Sequence, residues 1–148
     1  MIRTEIAKSN DIQELCRLLE ELFSMEKEFE PDSGKQKNGI KKIMESSSTG
    51  FIAVIKENEK IIGMVNILYV VSTFLGEKAA ILEDMIIDRE YRGKGYGTTL
   101  IKYAVEEAEK RGAKRVTLLT DDTNESAMKF YEKNGFKKSK MQVMRKYF

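Results

Sequence analysis

The residues with the clearest chemical potential lie between Ala79 and Arg111, where the chain reads AAILEDMIIDREYRGKGYGTTLIKYAVEEAEKR. An apolar run from Ala79 to Ile87 is interrupted by two acids, Glu83 and Asp84. Arg92-Gly93-Lys94-Gly95-Tyr96-Gly97 follows, and a helical pattern then runs from Thr98 to Arg111. Strand, glycine-rich turn and helix in that order leave backbone N–H groups unpaired at the helix start, where the macrodipole favours negative charge. Glycine suits such a turn because it accepts positive φ and lets an anion approach the backbone. Arg92 and Lys94 are expected to add mobile positive charge at the rim. The stretch therefore reads as a cradle for a phosphate group.

Two familiar kinds of phosphate cradle fit poorly. No Gly-Lys-Ser or Gly-Lys-Thr follows a four-residue spacer, as a nucleoside-triphosphate loop requires. A dinucleotide fold finds a partial match in Gly93, Gly95 and Thr98, with Asp121 near the spacing of a ribose-binding acid. Yet the turn falls two-thirds of the way along the chain, and too little sequence remains for further βαβ units.

The cradle needs elements to hold it. Ile2 to Ala7 suits a first strand, and Ser9, Asn10 or Asp11 could cap the helix after it, whose stripe is Ile12, Leu15, Cys16, Leu19, Leu22 and Phe23. Met25 to Gln36 is an acidic, turn-rich link containing Glu26, Glu28, Glu30 and Asp32, and a weaker helix spans about Gln36 to Ser46. Phe51 to Ile55 and Ile61 to Val71 read as a hairpin, and Gly76-Glu77-Lys78 turns into the central strand Ala79 to Asp88. Gly112 is placed to stop the helix after the cradle. Lys114 to Thr120 is a short strand, Glu125 to Lys133 a helix, and Phe136 to Tyr147 a last extended segment. The order β-α-α-β-β-β-α-β-α-β predicts a single α/β domain over residues 1–148, with a mixed central sheet and helices on both faces.

Composition narrows the class of function. The chain has 148 residues, 41% hydrophobic and 34% charged, which suits one globular domain with a sizeable core. Its apolar runs fall short of the ~20 residues that span a bilayer, and no signal-peptide pattern opens it, so a cytoplasmic setting and no membrane partner are expected. The lone Cys16 sits in a core stripe and the chain has no histidine, so neither a disulfide framework nor a thiol nucleophile is expected, nor any metal. Residues 128–148 carry seven bases against one acid, read as a solvated edge strand rather than a nucleic-acid surface.

Taken together, three stretches resemble the GNAT superfamily of N-acetyltransferases. Arg92 to Gly97 matches its R/Q-x-x-G-x-G/A motif. Ile81-Leu82-Glu83-Asp84-Met85-Ile86-Ile87-Asp88 resembles the strand leading into that motif. Asn124 to Phe136 resembles the later N-x-x-A-x-x-F-Y-x-x-x-G-F pattern, and Ile2-Arg3 with Asp11 and Leu15 fits the opening strand and helix. The resemblance implies acetyl-CoA as co-substrate. Its pyrophosphate would lie on the amides of Gly93, Lys94, Gly95, Tyr96, Gly97 and Thr98, with Arg92 as a further cofactor contact at the rim, and its pantetheine arm along Met85, Ile86 and Ile87. One N–H of these three would polarise the thioester carbonyl, an effect worth roughly 3 kcal/mol in comparable sites.

The resemblance also implies Tyr131 as general acid to the leaving thiolate. Asn124 lies two helical turns before it, as a cofactor contact, an N-cap or both. Glu83 matches the position often used to deprotonate or bind the amine. Asp84 would fall on the opposite face of a regular strand, unless a bulge brought the two together. With Glu28 and the other acids of the link, these carboxylates suggest a small cationic, polyamine-like acceptor. The Leu82-Glu83-Asp84 triplet resembles that of diamine and polyamine acetyltransferases over this strand alone. A protein N-terminal or lysine acetyltransferase and a non-catalytic acetyl-CoA-binding module are the alternatives. A homodimer paired through the last strand is compatible with the sequence.

Overall fold

The computed structural model describes residues 1–26 and 30–148; Glu28, expected to face the acceptor, lies outside the described residues. The elements are β1 (Ile2–Ile6), α1 (Ile12–Met25), α2 (Ser33–Glu45), β2 (Gly50–Glu57), β3 (Lys60–Ser72), β4 (Glu77–Ile87), α3 (Tyr96–Lys110), β5 (Val116–Leu118) and α4 (Glu125–Lys133). Short 3-10 turns occupy Ser9–Asp11 and Arg89–Tyr91.

One five-stranded sheet runs in chain order, β1-β2-β3-β4-β5. Short turns join β2, β3 and β4 antiparallel, β1 pairs antiparallel to β2 after the chain has passed through α1 and α2, and the crossover through α3 brings β5 in parallel to β4. One face packs Ile62, Val65, Ile67, Ala80 and Leu82 against Leu100, Ile101 and Ala104 of α3, with Phe130 and Tyr131 of α4 at its margin. The other packs Ile52, Val54, Ile61, Met64 and Ile86 against Leu15, Leu18 and Leu19 of α1 and Ile40 of α2. Helices thus cover both faces as the element order predicts, which is why β2 is buried nearly throughout. Among the described residues no helix is long and apolar enough to cross a membrane.

Three details differ from the sequence reading. Leu18 is fully buried although the expected stripe omits it, while Cys16 lies at the margin of that core. The second helix starts at Ser33, not Gln36. Asp32 caps it by accepting from the N–H groups of Gly34 and Lys35, while its own N–H donates to Gln36 Oε1.

The expected last strand does not form. Among the described residues no strand follows α4, and residues 137–148 are exposed. Alternation within Met141 to Tyr147 is a side-chain pattern, and a strand also requires a neighbouring edge to complete its ladder. The ladder on β5 is itself only three residues long.

A buried ion cluster fixes the opening strand. Lys56 Nζ lies 2.6 Å from Glu5 Oε1 and 3.2 Å from Asp11 Oδ1, linking β2 to β1 and to the turn before α1. The hydrogen bond from Lys56 holds the Glu5 carboxyl below its ordinary range. Removing the lysine takes the cation from Asp11 and leaves Glu5 with Arg3 alone, in a site where the lysine side chain is only 8% exposed. We expect Lys56→Met to cost about 3 kcal/mol at pH 7. The loss should shrink as pH falls and the Glu5 carboxyl, which the lysine holds down, protonates; urea melts at pH 7 and pH 4 measure both values.

Candidate active site

The centre of the site is an irregularity in β4. Met64 registers opposite Ile86 but Asn66 opposite Glu83, so β4 carries one extra residue between these pairs. Asp84 absorbs it with φ +55°, a left-handed backbone that costs a non-glycine residue about 1 kcal/mol. The bulge reverses which face each side chain meets. Before it, Ala80 and Leu82 pack toward α3; after it, Met85 and Ile87 do so and Ile86 faces α1 and α2. Glu83 and Asp84 therefore share the α1 side. Glu83 is exposed and opposite Asn66, whose Nδ2 donates to Asp84 Oδ2 at 2.7 Å.

Asp84 is the electrostatically perturbed member of the pair. Burial, and then the charge of Glu83, push its carboxyl up to about 6; the Asn66 hydrogen bond opposes them and Glu26, at the end of α1, adds to them.

The same irregularity opens the sheet toward β5. Parallel pairing covers Ala80, Ile81 and Leu82 against Val116, Thr117 and Leu118 and ends there, while β4 continues to Ile87. Asp88 N–H donates to Ile62 O on β3. Successive amides of a strand point to opposite sides, so the N–H groups of Ile87 and Met85 face the gap that β5 leaves. The Ile87 carbonyl in that gap accepts from Arg92 Nε at 2.8 Å.

Beyond β4, Asp88 caps the turn Arg89–Tyr91 through Glu90 N–H, and the chain enters the glycine segment. Gly93 and Gly95 take φ +76° and +83°, and a Cβ on either would meet nothing within 4 Å. Backbone conformation, not crowding within the chain, calls for glycine there. Gly95 is the N-cap of α3 and has no side chain to occupy the first-turn N–H groups, so the helix start is left open to an anion. Gly97 lies where α3 meets α4 and β4, and a Cβ there would sit in ordinary contact, 3.4 Å from the Phe130 ring and 3.7 Å from Ile87.

The two cations expected at the rim behave differently. Arg92 is anchored rather than mobile, since Nη2 donates to Glu21 Oε1 of α1 at 2.9 Å while Nε holds Ile87 O. Lys94 is exposed, its Nζ 5.4 Å from the centre of the Tyr91 ring. Nearby, Glu14, Arg17, Glu21, Lys60, Asp88, Arg89 and Glu90 line an open cleft of about 570 Å³. Its charges pair among themselves: Arg17 with Glu14 and the buried Asp88, Arg89 with Glu21, and Lys60 with Glu90.

Across the gap, Asn124 caps α4 by accepting from Ala127 N–H at 3.1 Å. Tyr131 is held edge-on between Phe130 and Phe136, with centroids 5.3 and 5.8 Å away. Burial pushes its phenol up, so it is protonated at neutral pH. Sequence reasoning named Glu83, Asp84, the glycine segment, Asn124 and Tyr131, and passed over Asn66, the Glu21–Arg92 contact and the charged cleft beside it. The one available signal for Asn66 was a lone amide within the apolar run Ile61 to Val71.

The raised pKa of Asp84 carries a stability consequence. A carboxyl whose folded value lies above its unfolded one imposes no penalty below about pH 4, a growing one as pH rises toward 6, and the full one above. We therefore expect Asp84→Asn, which suits a left-handed backbone, to stabilise the fold by about 2 to 3 kcal/mol at pH 8. Urea melts at pH 8 and pH 4 should show the gain vanish at the lower value.

Comparison with known proteins agrees with this geometry. The family model described as Acetyltransferase (GNAT) family matches residues 12–136. An uncharacterized N-acetyltransferase of Methanocaldococcus jannaschii is 29% identical over 146 residues, covering 95% of this chain and 64% of that relative. The chain thus spans less than two-thirds of that protein's length. A possible acetyltransferase from Clostridium difficile 630 shares the fold with a TM-score of 0.89 at 18% identity, over 100% of this chain and 98% of the other. A transcriptional regulator from Bacillus halodurans C-125 does so at 0.85 and 24%, over the full length of both.

Proposed function

The chain belongs to the acetyltransferase (GNAT) family, and on that footing we propose that it transfers the acetyl group of acetyl-CoA to a small cationic primary amine. The observation that carries this reading is the bulge at Asp84: one irregularity sets a perturbed carboxyl and a free strand amide on either side of the same short stretch.

The residues present fit acetyl-CoA. A pyrophosphate suits the open amides from Gly93 to Thr98, where both left-handed glycines lack neighbours that would obstruct an anion. The gap beyond Leu82 and Leu118, edged by Met85, Ile86 and Ile87, suits an amide-bearing pantetheine arm that hydrogen-bonds as a strand does. Acetyl-CoA, when bound, supplies an acetyl group activated as a thioester. Arg92 holds the carbonyl of Ile87 and keeps the gap-side backbone in position. Met85 N–H, pointing into the gap, stabilises the carbonyl oxygen as it gains charge.

At the acceptor, Asp84 and Glu83 attract the ammonium form and take its proton, directly or through water, so that the nitrogen lone pair is free. The C–N bond would then form as the C–S bond breaks, with Tyr131 giving its proton to the departing sulfur and the second proton shed by the new amide nitrogen returning through water to the Tyr131 phenolate. Asn124 steadies the start of α4, two turns before Tyr131, and offers its remaining amide hydrogens to the cofactor. The cationic class is supported by Glu26, Glu83 and Asp84 gathered on the α1 side. Asp32 contributes less, being engaged as a helix cap.

Loss of thioester absorbance with a panel of amines, amino acids and peptides tests the proposal. We expect turnover with small diamines or basic amino compounds, weakened by salt. Tyr131→Phe should reduce kcat about 100-fold or more while leaving acetyl-CoA affinity within a few-fold. Preference for neutral peptides at low salt would remove the cationic acceptor, and undiminished Tyr131→Phe activity would remove the acid.

A further inference from the structure

Asn66 lies where β3 is otherwise apolar: Met64, Val65 and Ile67 are fully buried, and Asn66 is 3% exposed. Its Nδ2 donates to Asp84 Oδ2 at 2.7 Å, while its Oδ1 is buried and has no hydrogen-bond partner among the described residues. A buried amide with one end unsatisfied is a burden on folding, and an apolar side chain of similar volume would spare it. The buried Lys56 cluster differs, because there each charge faces an opposite one. The partner that Asn66 does have is the residue at the bulge, in a backbone conformation that non-glycine residues seldom adopt.

We propose that Asn66 is a positioning residue for the acceptor amine: through its hydrogen bond it fixes the direction of the Asp84 carboxylate and keeps it in the charged, proton-accepting form. This rests on the acetyl-transfer reading and deepens it, since it assigns the proton-accepting role to Asp84, with the exposed Glu83 left to attract the ammonium.

The geometry gives the amide this leverage. Among the described residues, the groups acting on Asp84 are Glu83 from its own strand, Glu26 from the end of α1 and Asn66 from β3. Both acids repel a negative charge, and burial disfavours it as well, so Asn66 is the member of this set that favours the carboxylate. The bond is directional. It engages Oδ2 from the β3 side and leaves Oδ1 of Asp84 as the oxygen available to an amine hydrogen. Without the donor, the carboxyl would titrate higher and turn more freely about its side chain. The acceptor would then meet a neutral acid over a wider span of pH.

Two measurements on the wild type, Asn66→Leu and Asn66→Ser test this. One is the Asp84 carboxyl midpoint, followed by carbon-13 NMR; the other is the acid limb of kcat/KM for a primary amine between pH 5 and pH 9. Losing the donor should raise both by about one pH unit in Asn66→Leu. Activity above pH 8 should return to within about three-fold of wild type, and the KM for acetyl-CoA should be unchanged. Asn66→Ser should fall between the two, and it serves as the test if Asn66→Leu does not fold. An unmoved NMR midpoint overturns the proposal, as does a raised midpoint with the acid limb in place. An active wild type with an unmoved limb sinks this inference alone. A wild type that turns over no amine sinks the acetyl-transfer reading, and the NMR midpoint still reports whether Asn66 governs Asp84.

Discussion

A single extra residue in β4 is the constraint on which the site depends. Without it Glu83 and Asp84 would point to opposite faces, and Met85 would turn its side chain away from α3. With it, two acids meet on the α1 side and the amides of Met85 and Ile87 meet on the side where β5 ends. The reversal also sets Leu82 in one core and Ile86, four residues on, in the other. A regular strand would have kept those two residues on the same face.

Helix α1 is joined to the glycine segment by charge rather than by apolar packing. Glu21 reaches Arg92 and Arg17 reaches Asp88, which also caps the turn before the cradle. Partly exposed pairs such as Glu21–Arg92 contribute little to overall stability, commonly below about 1 kcal/mol. Their value here is positional, because Arg92 simultaneously holds the Ile87 carbonyl. Helix α1 and the backbone at the end of β4 thus share one guanidinium.

Much of this architecture is legible in the sequence because its signals are local. Glycine spacing at Gly93, Gly95 and Gly112, the capping residues at Asn124 and the alternating strands each specify their own few residues. The start of α2 was misread because Ser33 and Gly34 resemble a turn, whereas Asp32 uses them as the first turn of a helix. The last strand was misread because a ladder depends on an edge that its own residues cannot report. Asn66 escaped for a related reason. Its meaning comes from a residue 18 positions away on another strand, across a register set by the bulge.

Asp84 and Asn66 also bear on how this protein would respond to selection. Both hold polar groups where an apolar or neutral side chain would fold more comfortably, one with a strained backbone and the other with an orphaned oxygen. A library screened only for survival of heating would accordingly collect changes at these two positions. On the proposed mechanism the winners of that screen would lose turnover, and tracking heat resistance against turnover across the library would trace the boundary between scaffold and site.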